Sequence, residues 1–199
     1  MRKIVVRLLP LVMLLLLVGC STTVERMETG EVKDLSGRWN DSDSQLVSEA
    51  MVQDALNRPW ISDYTARTGK KPDVIVGSIR NRSSEHIATE VFVKDLERAL
   101  VNSGRANFVA SSEERSDVRT ERLDQDLNAA PESRKAPGME AGADFMLIGA
   151  INSIVDQEKG DKVVFYQVDL ELVDMRNNRK VWLGTKKIKK FVSRSSFGF

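Results

Sequence analysis

Histidine and cysteine, two side chains that commonly carry out enzyme chemistry, each occur once in this sequence of 199 residues, as His86 and Cys20. A nucleophilic cysteine needs a base beside it, and a zinc site needs several nitrogen or sulfur ligands. No serine-hydrolase, zinc-protease, glycine-rich phosphate-loop or EF-hand motif occurs. We therefore predict that the protein is not an enzyme and has no catalytic residues, metal site or cofactor.

Cys20 has a different use, because it follows a secretory signal. A basic start (residues 2–7) precedes an apolar stretch (residues 8–18) that is too short to span a bilayer comfortably. Residues 17–20 read Leu-Val-Gly-Cys and match the bacterial lipobox. We predict cleavage after Gly19 and lipidation of Cys20. Since serine rather than aspartate follows the cysteine, we expect a lipid-anchored protein on the periplasmic face of the outer membrane.

Charge and length limit what the mature chain can be. Removal of residues 1–19 takes three basic and no acidic side chains from totals of 30 and 29, which leaves 27 against 29 and a net charge of −2. A nearly neutral, exported chain is not a typical nucleic-acid binder, so we expect no nucleic-acid partner. The remaining 180 residues are enough for one domain with a hydrophobic core. Lipid on Cys20 is the only membrane contact that we expect.

The pattern of polar and apolar residues divides the chain into four segments. Residues 1–19 form the signal peptide, and the polar residues 20–42 form a lipidated tether that ends in a docking segment. Residues 43–192 carry the apolar periodicity of a globular domain, and residues 193–199 form a C-terminal tail.

Apolar spacing within the globular part predicts one α/β domain with a mixed sheet. We predict helices over residues 43–57, 85–102 and 112–127, with a short irregular or helical piece at 60–68. We predict strands over residues 73–79, 107–110, 144–151, 163–173 and 180–192. Asp43 or Ser44 caps the first helix, and a polar turn occupies 80–84. The first two strands and the helix between them form a βαβ unit, and the last two form an antiparallel hairpin. We expect the strands at 73–79 and 144–151 to be buried on both faces.

Two features could bind a partner protein. The segment Arg80-Asn81-Arg82-Ser83 follows a strand, where loops often carry function, and its two guanidinium groups suit carboxylates. Trp182 offers aromatic area on the closing hairpin, as tryptophan does at many interfaces. Each feature also has a purely structural interpretation: the segment as a turn that enters a helix, and the tryptophan as a core residue.

The order of several modest motifs resembles the LpoB family, the outer-membrane lipoprotein activators of penicillin-binding proteins. The similarity covers most of residues 34–192. Its motifs are an apolar strand followed by Asn81-Arg82-Ser83, Asp-Leu-Glu-Arg-Ala-Leu at 95–100 with Asn-Ser-Gly at 102–104, Phe-Val at 108–109, Gly-Ala-Asp-Phe-Met-Leu at 142–147, and the hairpin segments 167–170 and 180–182. The opening segment 34–41 is similar to the version in the family's more distant branches.

This resemblance implies a small α/β fold similar to the N-terminal domain of the Tol-Pal protein TolB. It also implies a function, which is to stimulate a bifunctional penicillin-binding protein (a peptidoglycan synthase) by binding a noncatalytic regulatory domain. The expected partners are therefore that synthase and, through lipid on Cys20, the membrane. The alternative function is that of a structural or assembly lipoprotein in another cell-envelope complex.

Cys20→Ala tests the anchor. The variant has no thiol to accept a diacylglyceryl group, so we expect an uncleaved precursor that is lost from the outer-membrane fraction. The lost anchor energy is about 0.8 kcal/mol for each buried CH₂ of an acyl chain. Palmitate labelling and membrane fractionation measure both effects, and Ser21→Ala is a matched control that should behave as the wild type. Normal processing and localisation of Cys20→Ala would contradict the lipoprotein prediction.

Overall fold

The computed structural model describes residues 23–28, 30–135 and 137–193. The predicted signal peptide, Cys20 and residues 194–199 of the predicted tail lie outside the described residues. A compact unit begins at Val32. Its helices are α1 (Asp41–Leu56), α2 (Trp60–Thr68), α3 (Thr89–Asn102) and α4 (Ser112–Asn128). Its strands are β1 (Asp73–Arg82), β2 (Asn107–Phe108), β3 (Phe145–Glu158), β4 (Asp161–Asp174) and β5 (Lys180–Ser193).

The strands form one sheet in the order β2-β1-β3-β4-β5. β1 is parallel to β2 and β3, while β3, β4 and β5 pair antiparallel. This architecture confirms the predicted α/β class, the βαβ unit (β1-α3-β2) and the C-terminal hairpin (β4-β5). β3 is longer than predicted because it continues to Glu158 and turns into β4 through Lys159 and Gly160, both at positive φ.

One face of the sheet, which we call the inner face, is buried. Helix side chains pack on it and form a single core with alternate residues of the strands. The largest fully buried apolar side chains of this core include Tyr166, Phe92, Leu96, Ile151 and Leu170. On the opposite, outer face, the side chains of β1 and β4 are half-buried or exposed. The prediction that β1 and β3 are buried on both faces is therefore wrong, because their outer-face residues keep contact with solvent.

β1 contains a β-bulge between Val76 and Ile79, where the strand has one residue more than β3. After an extra residue, each later side chain of the strand points to the opposite face from the one that regular alternation would give it. Val76 and Ile79 consequently both point into the core, at 8% and 7% exposure. Arg80 and Arg82, which alternate with Ile79, point to the outer face.

The end of β1 and the start of α3 differ from the sequence prediction. β1 pairs with β3 as far as Arg82, so the polar turn predicted at 80–84 is wrong for residues 80–82, which are strand. α3 begins at Thr89 and not at Glu85, because the residues between them form the connection from the sheet to the helix.

The first helix is capped one turn earlier than predicted. The Asn40 side chain accepts a hydrogen bond from the Asp43 backbone N–H at 3.0 Å, and the Asp43 carboxylate accepts one from the Asn40 N–H at 3.0 Å. This reciprocal pair is a capping box. Asp43 and Ser44 are therefore inside α1, and the prediction that one of them caps it is wrong. The Ser44 hydroxyl instead accepts from Trp39 Nε1 at 2.7 Å.

Residues 34–40, which we call the strap, lead into α1 and close one end of the core. The Trp39 ring packs edge-on against Phe92 and Tyr166, with centroid distances of 6.3 and 5.5 Å. The backbone N–H of Trp39 and the hydroxyl of Tyr166 both donate to the same carboxylate oxygen of Glu85, at 3.1 and 2.7 Å. Burial, and then the Glu85 carboxylate, raise the pKa of Tyr166 above its usual range. The phenol therefore remains a hydrogen-bond donor at neutral pH.

Lys190 of β5 fastens the strap to the sheet. Its Nζ lies 2.6 Å from a carboxylate oxygen of Asp34 and 2.6 Å from one of Asp43, and it donates to the Arg38 carbonyl at 3.2 Å. The side chains of Lys190 and Asp43 are only 10% and 9% exposed. Burial alone would lower the pKa of Lys190, but the two carboxylates raise it overall. The pair with Asp43 is thus a nearly buried salt bridge.

Lys190→Met should lower the free energy of unfolding by roughly 3–5 kcal/mol, because the Asp43 carboxylate would stay buried without a cation. Asp34→Asn keeps that pair and removes a partner that is 46% exposed, so it should cost less than about 1 kcal/mol. Urea unfolding measures both variants. Since the pKa of Lys190 is raised above 10.5, the wild-type contribution is complete below that pH and is lost as the pH rises through the folded-state pKa. Equal effects of the two substitutions would contradict a dominant Lys190–Asp43 pair.

Candidate functional site

Arg80 and Arg82 lie at the carboxyl end of β1, on the outer face of the sheet. Both are exposed, and neither side chain forms a salt bridge or hydrogen bond with another residue that the structure describes. Alternate residues of a strand share one face, so both guanidinium groups are presented side by side. Register pairs Arg80 with Ala150 and Arg82 with Asn152 of β3. Two cations without internal partners are thus available at one place on the surface.

A depression of about 520 Å³ lies beside the arginines. Its floor is the outer face of β3 and β4, where Ala150 lies between Arg80 and Asp169 in one cross-strand row. The small alanine side chain leaves space that a larger residue would fill. Ile148 and Leu183 contribute apolar walls, and Leu183 is 64% exposed. The depression therefore combines apolar area with charge at its β1 side.

Acidic groups in the depression already have partners. Asp169 accepts hydrogen bonds from Gln167 Nε2 at 2.8 Å and from Thr185 Oγ1 at 2.7 Å. Glu171 forms a salt bridge with Lys180 at 2.7 Å. An approaching anion would therefore meet the two arginines without having to break an existing ion pair of either one.

Asn81 and Ser83 shape the chain where β1 ends. Asn81 Oδ1 accepts from the Ser83 N–H at 2.9 Å and from the Ser83 hydroxyl at 2.7 Å, and Asn81 Nδ2 donates to the Glu85 carbonyl at 2.7 Å. The next residue, Ser84, donates its N–H to the Ser153 hydroxyl of β3 at 3.3 Å. These bonds bend the chain directly after the second arginine. Asn81 and Ser83 thus position the arginines, and their direct contact with a partner stays a prediction.

Trp182 lies on the inner face and not beside the arginines. It is 5% exposed, and its Nε1 donates to the Asp54 carboxylate of α1 at 2.8 Å. That hydrogen bond, together with Arg58, holds the pKa of Asp54 below its usual range. Gly184 makes room for the indole, since a Cβ there would overlap the ring. The prediction of exposed aromatic area at Trp182 is wrong because register with Leu172 turns the side chain into the core.

The other predicted residues lie apart from this site. Cys20 is outside the described residues, so its lipidation stays a prediction. His86 is exposed on the connection between β1 and α3. Across residues 23–28, 30–135 and 137–193, no three His, Cys, Asp or Glu side chains are placed to hold a metal ion. None of the helices in these ranges combines the length and hydrophobicity needed to cross a membrane.

The sequence matches a family model over residues 43–188, and the description of that family is peptidoglycan-synthase activator LpoB. The match spans most of the chain and includes both arginines and Trp182. The chain belongs to the LpoB family. Membership confirms the resemblance found in the motifs and places the protein among activators of peptidoglycan synthases.

Three solved structures are similar to this LpoB-family chain at low sequence identity. The LpoB C-terminal domain from Salmonella enterica is 18% identical, and the likeness covers 76% of this chain and 99% of that one, with a TM-score of 0.37. The NMR structure of E. coli LpoB is 16% identical, with coverage of 87% and 85% and a TM-score of 0.41. A lipoprotein from Neisseria meningitidis is 20% identical, with coverage of 63% and 88% and a TM-score of 0.40.

These structural likenesses add nothing to the family assignment, which depends on the family model. The sequence has no significant match among curated proteins. The expected likeness to the N-terminal domain of TolB stays a prediction.

Asn81→Ala tests the positioning role. The variant loses three side-chain hydrogen bonds, so we expect the free energy of unfolding to fall by about 1–2 kcal/mol. Arg82→Ala, at the next position, removes no such bond and should change stability by less than about 0.5 kcal/mol. Urea unfolding of the two variants side by side measures the difference. If both were as stable as the wild type, Asn81 would have no positioning role.

Proposed function

We propose that the protein is a lipoprotein of the outer membrane that faces the periplasm and activates a bifunctional penicillin-binding protein by binding to it. The family match over residues 43–188 carries the proposal, because the family is described as activators of peptidoglycan synthases. The lipobox that ends at Cys20 supports the compartment independently. Two different kinds of observation thus favour the same place of action.

The proposed activation needs no catalytic group in this chain. A binding protein raises the activity of an enzyme only if it binds the active conformation more tightly than the resting one. A tenfold shift between two conformations needs about 1.4 kcal/mol of differential affinity. One well-placed charged contact at an interface is enough to supply that difference. In this proposal the protein is therefore not an enzyme, and it uses no metal or cofactor.

The outer face at the end of β1 is the surface that we assign to the synthase. Arg80 and Arg82 supply two guanidinium forks, which bind carboxylates with two parallel hydrogen bonds. The neighbouring depression supplies apolar area around Leu183. Asn81 and Ser83 hold the arginines in place. Trp182 is not part of this surface, because its indole is buried on the other side of the sheet.

The length of the tether limits where the partner can be met. The strap is fastened to the sheet at Asp34, fourteen residues after Cys20. An extended chain advances 3.3–3.6 Å per residue, so this segment reaches roughly 50 Å at most. Activation therefore requires the synthase to come within this distance of the outer membrane.

Charge reversal at the arginines tests the assigned surface. Arg80→Glu and Arg82→Glu should each weaken binding to the detergent-solubilised synthase, by ~2–5 kcal/mol if the contact is buried and by much less at the rim. The thermal midpoint should stay almost unchanged, because both side chains are exposed. Titration with the purified synthase measures affinity, and a glycan-polymerisation assay measures activation.

Two controls separate binding from folding. Lys189→Glu makes the same charge change on the outer face at β5, away from the depression, and should leave affinity unchanged. Leu96→Ala truncates a side chain that is 0% exposed and should cost ~2–5 kcal/mol of stability. Wild-type affinity in both arginine variants would show that the end of β1 only leads into the helix. The contact would then have to be sought on the hairpin or on α4.

A pull-down from crosslinked envelopes tests the function itself. Recovery of a bifunctional penicillin-binding protein with the wild-type chain is the expected result. Recovery of a different envelope assembly, without any synthase, would replace the proposed function by that of a structural or assembly lipoprotein.

A further inference from the structure

β1 has an open edge beside the two arginines. β2 pairs with β1 only at Asp73 and Val74, and no further strand of the described chain lies along that side. The end of β1 is exposed, including the three consecutive residues 80–82. β5, at the other edge of the sheet, carries four lysines within residues 186–190, a common protection against strand addition. The β1 edge is thus the less protected of the two.

Pairing shows which backbone groups point to this edge. The Val74 carbonyl accepts a hydrogen bond at 2.8 Å from the N–H of Val109, which follows β2. The Asp73 carbonyl accepts one at 2.7 Å from the N–H of Asp144, which precedes β3. Along a strand, the side-chain face and the direction of the backbone groups alternate together. Ile79 and Asn81 share the inner face with Val74, so their N–H and C=O groups point to the open edge. The backbone groups of the two arginines point to β3.

A strand added at this edge would place its own side chains next to the arginines. Side chains directly opposite each other on adjacent strands lie about 4.5–5.5 Å apart at Cβ. Arg80 and Arg82 are two residues apart, and alternate residues of the added strand would share their face. Two carboxylates at alternate positions would therefore each meet one guanidinium group. The matching segment is extended and acidic at every second position.

A second copy of this chain fits the edge poorly. Pairing of two β1 strands would bring the arginines of one copy close to those of the other. Like charges directly opposite each other destabilise a strand pair. An acidic segment of a different protein has no such conflict.

We infer that the β1 edge receives an extended acidic segment of the partner by strand addition. Main-chain hydrogen bonds to Ile79 and Asn81 provide affinity, and Arg80 and Arg82 select carboxylates at alternate positions. This inference rests on the proposed binding of a penicillin-binding protein and specifies how that protein is held.

Residue-resolved amide hydrogen exchange distinguishes strand addition from a contact made by side chains alone. The full chain is labelled free and in complex with the detergent-solubilised synthase, and the amides are then read by NMR. The Ile79 and Asn81 amides should exchange at least about tenfold more slowly in the complex, equivalent to 1.4 kcal/mol. The Arg80 and Arg82 amides, which already face β3, should change little. A simple electrostatic contact would not produce this alternation.

Charge exchange tests the acidic segment. The double variant Arg80→Glu, Arg82→Glu should bind the synthase at least about tenfold more weakly. The segment of the synthase whose own amides exchange more slowly in the complex should carry acidic residues at alternate positions, and their replacement by arginine should restore binding of the double variant. Failure to restore it would overturn the assignment of those carboxylates.

The exchange outcomes separate this inference from the proposed function. Binding and activation without slower exchange at Ile79 and Asn81 would overturn strand addition and leave the proposed function intact. Absence of any binding to the synthase would overturn both. Slower exchange in the chain alone, increasing with its concentration, would assign the edge to a second copy and overturn the inference.

Discussion

The bulge in β1 decides which side chains the sheet presents to solvent. If residues 76–82 alternated regularly without the bulge, Ile79 would point outward and the arginines at 80 and 82 into the core. An unpaired buried cation costs several kcal/mol, so that register would be strongly disfavoured. Gly77 lies at the bulge, where a Cβ would press against two apolar side chains of β3. The core and the candidate site thus depend on the same local irregularity.

Glu85 links the strap to the end of β1. Its carboxylate accepts from Trp39 and Tyr166, which closes the core under the strap. Its carbonyl accepts from the Asn81 side chain, which fixes the bend after the arginines. One residue of a connecting loop therefore joins the segment that leads to the tether with the surface assigned to the partner. Changes in this loop would affect both regions, so loop variants cannot separate folding from binding as cleanly as exposed arginine variants do.

Much of the fold could be predicted because apolar periodicity reflects burial directly. The alternation from Tyr166 to Leu172 indicates a strand with one wet face, and β4 is such a strand. The face of Trp182 could not be predicted in this way, because both of its neighbours in sequence are apolar as well. Only its register with Leu172 decides it. Gly184 was an available signal, since a glycine two residues away on the same face leaves space for a large ring.

The candidate site shows a second limit of sequence analysis. A net charge of −2 for the mature chain, taken from the counts of acidic and basic residues, gives no hint that two arginines lie next to each other on one face of the sheet. The acidic residues nearest in the sheet bond to other groups: Asp169 accepts from neutral donors of its own face and keeps its charge, and Glu171 pairs with Lys180. The arginines of β1 have no such partner among the described residues. Local charge is thus set by the register of three strands, and an acidic segment would be selected by that geometry rather than by the overall charge of the protein.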